Sequence, residues 1–202
     1  MKLLFSPASP FVRKVLVLAH ETGLGERIDR EVVRASPIDP DPRLTRRNPL
    51  GKIPCLVLDN GQALYDSRVI CEYLDRLHGG RRFVPGDGQA RWAALTREAL
   101  ADGMMEAAVG VRYEETLRPE EARWEVWTTN QKLKIRDGLD WLEDEAADFS
   151  ALPDIGHVAV AAALGYLDFR FDADGWREGR PKLEAWFEAF SERPSMRATK
   201  PV

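Results

Sequence analysis

Phe11, Val12, Val15, Leu16, Leu18 and Ala19 recur at helical spacing behind Ser9 and Pro10, and Gly23 closes the run. Proline is favoured at a first helical position because its missing N–H would go unpaired there anyway, and serine is a good N-cap. Ahead of this helix, Lys2-Leu3-Leu4-Phe5 reads as a short buried strand stopped by Ser6-Pro7. Behind it, residues 28–33 alternate apolar and charged positions, the pattern of a half-buried strand. A proline-rich stretch over 37–49 leaves room for one or two helical turns. Runs at 55–58 and 63–65 flank Asp59-Asn60-Gly61-Gln62, and Asn-Gly predicts a tight type I′ hairpin. Asp66-Ser67 open another helix, continued by Val69, Ile70, Tyr73, Leu74 and Leu77. The predicted order is β-α-β-(α)-β-β-α.

After residue 87 the period becomes helical and stays so. Helices are predicted over 89–116, 120–147, 153–171 and 180–191, and residues 158–167 are apolar on every side, as suits the middle of a bundle. Gly79-Gly80 and Pro85-Gly86 bracket a linker. The reading is an α+β chain: a small α/β domain over 1–78, a linker over 79–86 and an all-helical domain over 87–202.

Composition narrows the function. Lys+Arg 29 against Asp+Glu 33 give a formal charge of −4, and no basic block stands out, so nucleic acid is a poor partner on electrostatic grounds. No apolar run approaches the ~20 residues of a membrane-spanning helix. The N-terminus has no signal-peptide core, so a cytoplasmic location is expected. Cys55 and Cys71 make neither a disulfide framework nor a zinc set and lie in apolar stretches as small hydrophobes. His20, His78 and His157 show no metal-ligand spacing.

Ile53-Pro54 stands immediately before the third strand, where proline cannot donate to a ladder. A cis bond would turn the Ile53 backbone N–H and C=O toward solvent, ready to pair with an extended peptide; a trans proline would merely open an edge strand. Taken with Ser9-Pro10-Phe11, with Asn48-Pro49-Leu50-Gly51-Lys52-Ile53-Pro54 and with Asp66-Ser67, it makes the chain resemble the glutathione S-transferase family. Ala101-Asp102-Gly103 and Ala163-Leu164-Gly165-Tyr166-Leu167-Asp168-Phe169-Arg170 are similar to segments of small bacterial members.

The resemblance implies a thioredoxin-like first domain with a cis proline at Pro54, and glutathione as co-substrate. Asp66 would meet the γ-glutamyl ammonium; many relatives carry Glu there, one methylene longer. Ser67 and the helix N-terminal N–H groups would meet the adjoining carboxylate. Ile53 would pair its backbone with the cysteinyl unit, and Lys52, Arg46 or Arg47 would reach the glycine carboxylate.

Ser9 matches the position beside the glutathione sulfur and is the implied catalytic residue. A charge-assisted hydrogen bond of about 1.5–3 kcal/mol with about 0.3–1 kcal/mol from the helix dipole would lower a thiol pKa by about two units. The thiolate fraction at pH 7 then rises roughly 25-fold, while intrinsic nucleophilicity falls about eightfold, for a net gain of about threefold. Most of the catalysis must therefore come from positioning the electrophile. Serine rather than cysteine at position 9 disfavours mixed-disulfide chemistry.

The implied electrophile pocket is lined by Met105, Val109, Arg112 and Tyr113, in a cleft between the domains. The family usually forms homodimers and serves detoxification. Two alternatives resemble the same fold: a glutathione-dependent isomerase of the maleylacetoacetate type, which Arg13 leaves open, and a scaffold that binds a protein partner, as stringent starvation regulators do. Relatives open the central helix with a Ser/Thr-x-x-Asp capping box; here Asp154 supplies the acid and Ala151 stands at the cap, so a half-missing box costing about 1 kcal/mol is expected, with Pro153 prefixing the first turn.

Overall fold

A computed structural model describes residues 1–149 and 152–202. The chain packs as two units, Met1–Arg91 with Arg193–Val202, and Trp92–Glu192.

In the first unit β1 (Lys2–Phe5), α1 (Pro10–Glu21), β2 (Asp29–Val32), α2 (Pro42–Thr45), β3 (Cys55–Val57), β4 (Ala63–Leu64) and α3 (Ser67–Asp75) follow in the expected order. The sheet runs β2-β1-β3-β4, with β1 parallel to β2 and the other pairs antiparallel. This is the α+β, thioredoxin-like arrangement. Leu4 and Cys55 pack on one face with Val33 and Leu44. Alternation turns Leu3 and Leu56 to the opposite face, where the buried residues of α1 and α3 close the core.

Two local expectations change. β2 is an edge strand, and its own residues are largely exposed, Val32 included; burial falls on Ile28 and Val33 just outside it. The hairpin is not type I′, which needs both central residues left-handed. Gly61 alone has positive φ, at 86°. Its N–H donates to Leu58 O at 2.9 Å, and the Leu58 N–H donates to Gln62 O at 2.8 Å. The loop is therefore a three-residue turn closed by a glycine bulge. The Asn60 side chain accepts from the Gln62 N–H at 2.9 Å and steadies it.

The stretch after α3 is anchored rather than loose. Asp75 is buried and accepts from the Phe83 and Val84 N–H groups at 2.7 and 3.1 Å, with His78 at 3.2 Å. The C-terminal α8 (Pro194–Ala198) is a short helix that periodicity does not announce. It packs on α1: Glu21 takes a two-pronged bond from Arg193 at 2.8 and 2.6 Å, and Arg13 donates to Met196 O at 3.3 Å.

α4 (Gly88–Leu117), α5 (Glu125–Ala146), α6 (Ile155–Arg170) and α7 (Pro181–Ser191) supply the helical part. Every residue of α6 from Ile155 to Leu167 is buried, as its unbroken apolar run requires. Its capping box lies three residues beyond the expected place. Asp154 is the N-cap, accepting from the His157 N–H at 3.1 Å, and His157 Nδ1 returns to the Asp154 backbone N–H at 3.2 Å. The box is complete with acid at the cap and imidazole at the third position, so the expected loss of about 1 kcal/mol does not arise there. Ala151, the expected cap, lies outside the described residues.

Candidate functional site

Strand pairing decides which loops meet. Leu4 opposes Cys55 and Leu56 opposes Leu64, so the C-terminal end of β1, the N-terminal end of β3 and the C-terminal end of β4 share one end of the sheet. Ser9, Ile53-Pro54 and Asp66-Ser67 leave the strands at that end. The topology thus collects three segments drawn from residues 9–67 of the sequence.

Ser9 caps α1. Its hydroxyl oxygen accepts from the Val12 N–H at 3.4 Å, a long bond, and its backbone N–H donates to Ser6 O at 3.1 Å. No acceptor among the described residues takes the hydroxyl proton. Ser9 is half-buried, so that donor faces the surface of the site at the positive end of a helix of 12 residues.

The loop before β3 is built from its own side chains. Asn48, 2 % exposed, donates to Lys52 O at 2.8 Å and accepts from the Leu50 N–H at 3.1 Å. Gly51 takes φ 62°, and a Cβ there would press on Pro40 at 3.3 Å. The Ile53–Pro54 bond is cis. Among the described residues no hydrogen bond engages the Ile53 backbone N–H or C=O, while its half-buried side chain packs on the sheet core. Pro54 is buried; Lys52, Arg46 and Arg47 are exposed, with Arg47 donating to Gly61 O at 3.4 Å. Asn48 is the positioning residue that motif reading passed over, although Asn ahead of Pro and Gly is itself a turn signal.

Asp66 is the N-cap of α3 and Ser67 its first residue. One Asp66 oxygen accepts from the Arg68 N–H at 3.0 Å, and the other lies 3.4 Å from the Arg68 guanidinium. The carboxylate is 58 % exposed, which leaves acceptor sites open on both oxygens. Ser67 is buried, yet no described residue bonds its hydroxyl. The Tyr65–Asp66 peptide bond is also cis, a feature with no sequence signal.

Cys55 and Cys71 are buried and make no disulfide among the described residues, and burial pushes Cys55 up to about 11, far from thiolate chemistry at neutral pH. Arg13 is buried against α8.

The expected electrophile residues lie on α4 of the helical unit. Met105 is buried, Arg112 half-buried and Tyr113 38 % exposed. Burial pushes the Tyr113 phenol up. Two further residues, Tyr166 and Arg170, lie one turn apart on α6. Burial raises the Tyr166 phenol, and the Arg170 and Arg112 charges pull it the other way. In the sequence both fall within the family-like segment 163–170, where neither stands out.

Comparison with known proteins agrees over the whole chain. The family profile "Glutathione S-transferase, N-terminal domain" matches residues 8–77, and "Glutathione S-transferase, C-terminal domain" matches residues 125–189. The uncharacterized GST-like protein YibF of Escherichia coli (strain K12) is 36% identical over 204 residues, covering 100% of this chain and 98% of that protein. A glutathione transferase family member from Pseudomonas fluorescens Pf-5, crystallised with bound glutathione, is 53% identical with a TM-score of 0.97, covering 100% of this chain and 98% of the other. A structure from the same bacterium with bound S-(propanoic acid)-glutathione has 51% identity and a TM-score of 0.93, covering 100% of each chain.

Proposed function

The chain belongs to the glutathione S-transferase family, and from that premise we propose that it adds the glutathione thiolate to a small electrophile with Ser9 as the residue beside the sulfur. The carrying observation is one end of one sheet, where a serine hydroxyl with an uncommitted proton, an unbonded Ile53 backbone and the N-terminus of α3 converge. An extended tripeptide needs those three things. Relatives crystallised with glutathione and with its S-propanoic acid adduct support the ligand class.

In this reading Ile53 offers its N–H and C=O to the cysteinyl unit. Asp66 accepts from the γ-glutamyl ammonium with the lone pairs its capping bonds leave unused, and the Ser67 hydroxyl and first-turn N–H groups of α3 donate to the neighbouring carboxylate. Lys52, exposed beside Ile53, answers the glycine carboxylate. The Ser9 O–H donates to the sulfur, and the end of the α1 dipole favours the thiolate over the thiol. Glutathione supplies the nucleophile: its sulfur forms the new bond to carbon, and the leaving group departs with the displaced electron pair. Met105, Arg112 and Tyr113 receive the electrophile. A homodimer and a cytoplasmic location belong to the same reading.

Isothermal calorimetry with glutathione tests it. Wild type is expected to bind, Asp66→Ala to bind about tenfold or more weakly through the loss of a charge-assisted bond, and Ser9→Ala to bind nearly as wild type while turning over more slowly. A wild-type chain that shows no heat with millimolar glutathione overturns the reading.

A further inference from the structure

α1 carries Ser9 at its head, and apolar burial alone does not decide where along its axis the helix stops. Val12, Val15, Leu16, Leu18 and Ala19 are buried, but hydrophobic contact is non-directional. The ties of Ser9 itself are short-range. Its hydroxyl accepts from the Val12 N–H at 3.4 Å, its N–H donates to Ser6 O at 3.1 Å, and its carbonyl accepts from the Arg13 N–H at 3.0 Å.

Directional bonds reach α1 from α8, 172 to 183 positions further along the chain. Near the head of the helix the buried Arg13 guanidinium donates to Met196 O at 3.3 Å. At its end Glu21 accepts both prongs of Arg193, at 2.8 and 2.6 Å, and the Ser195 hydroxyl as well. Eight residues separate Arg13 from Glu21, about 12 Å of helix axis, so α1 is held at two points rather than one. α8 is itself fixed: Ser195, Met196 and Thr199 are buried, and the Thr199 hydroxyl donates to Ser195 O at 2.8 Å. Arg13 is the link between the two, because its backbone holds the Ser9 carbonyl and its side chain holds α8.

We propose that α8 braces the helix that carries Ser9, and that Arg13, Glu21 and Arg193 are positioning residues which keep the Ser9 hydroxyl against the glutathione sulfur. The assignment rests on the glutathione-transferase reading above and concerns the geometry of that same site. The other groups that hold the tripeptide in that reading stand elsewhere: Ile53 in the loop before β3, Asp66 and Ser67 at the start of α3, and among the described residues none of them bonds to α8. A site of this kind works only when its groups keep their places to within about 0.5 Å. Releasing α1 from α8 therefore moves Ser9 off the sulfur while the remaining contacts persist.

The test follows bound glutathione in wild type, Arg13→Met and Arg193→Gln. Titrating its thiolate absorbance reads the contact between Ser9 and the sulfur. Calorimetry at about pH 5, where the sulfur is a thiol both free and bound, reads the other contacts. Each variant is expected to raise the midpoint of the bound thiol by about one pH unit and to leave the affinity at about pH 5 within about twofold. Arg193→Lys, which returns the charge and one prong to Glu21, should recover most of the wild-type midpoint. Asp154→Ala, a destabilising change in the helical unit, should not move it. A midpoint unchanged in either arginine variant, or moved as far by Asp154→Ala, overturns the brace and leaves the glutathione reading standing. So does an affinity at about pH 5 that falls by about tenfold, which marks a general loss of the site. Arg193, 34% exposed, decides the matter if Arg13→Met does not fold. A midpoint that Ser9→Ala leaves in place overturns the brace together with the placement of Ser9, and a wild-type chain that binds no glutathione overturns the whole reading.

Discussion

Two of the aspartates that cap helices in this chain do different work. Asp154, at the head of α6, is spent. It accepts from the His157 N–H, lies 2.7 Å from His157 Nδ1 and takes Arg97 at 3.3 Å, with the Phe149 ring beside His157 at 4.8 Å. Asp66, at the head of α3, makes a single firm cap bond, to the Arg68 N–H at 3.0 Å, and keeps most of its surface open. A cap whose acceptor capacity is filled by the protein is architecture; one with capacity left over can hold a ligand as well.

The comparison breaks most visibly in stability. Asp154→Ala removes a cap and takes the carboxylate from His157, while Arg97 keeps Glu145, so a loss of about 2–3 kcal/mol is expected in urea unfolding, against about 0.5–1 kcal/mol for Asp66→Ala. Equal costs would mean that both caps are structural. The order reverses in ligand affinity: Asp66→Ala should weaken glutathione by about tenfold, and Asp154→Asn, which keeps the cap geometry, by less than about twofold.

Position 9 sharpens the contrast at a third helix start. Ser9→Cys puts a thiol in place of the hydroxyl that faces the sulfur, and a mixed disulfide with glutathione then becomes possible; a gain of thiol–disulfide exchange activity, followed with a glutathione-linked disulfide substrate, is expected. No gain would mean that residue 9 does not face the sulfur.

The smallest effect is in pH. Burial would raise the Asp154 carboxyl, but the His157 bond and the His157 and Arg97 charges bring it below its ordinary value of 3.8. A carboxyl depressed in the folded state contributes stability that is present above its unfolded value and lost as pH falls through the folded one. Wild type should therefore lose stability more steeply than Asp154→Asn as pH falls below the ordinary carboxyl range. Parallel curves would remove Asp154 from the acid limb.

What the sequence disclosed was local. Periodicity over α1 and α6 and punctuation at Pro10, Gly61 and Asp66 are written in neighbouring residues, and the element order of the first unit follows from them. Features set by distant contact were hidden. α8 is five residues long, too short to show a period, and its place on α1 depends on Arg193 finding Glu21 across more than 170 positions. β2 alternates as a half-buried strand does, but it is an edge strand and its residues stay largely exposed. The α6 box departs from the hydroxyl-capped template, because its Asp cap is answered by an imidazole. Ser9, Ile53 and Asp66 were legible as motifs; their convergence on one end of the sheet came only with the strand register.

The claim that carries the rest is a Ser9 hydroxyl against the glutathione sulfur. Titrating the thiolate absorbance of bound glutathione in wild type and in Ser9→Ala measures it directly. The account predicts a thiol about two pH units below the free value of about 8.5 in wild type, returning most of the way in the variant. The same titration in both proteins would contradict it.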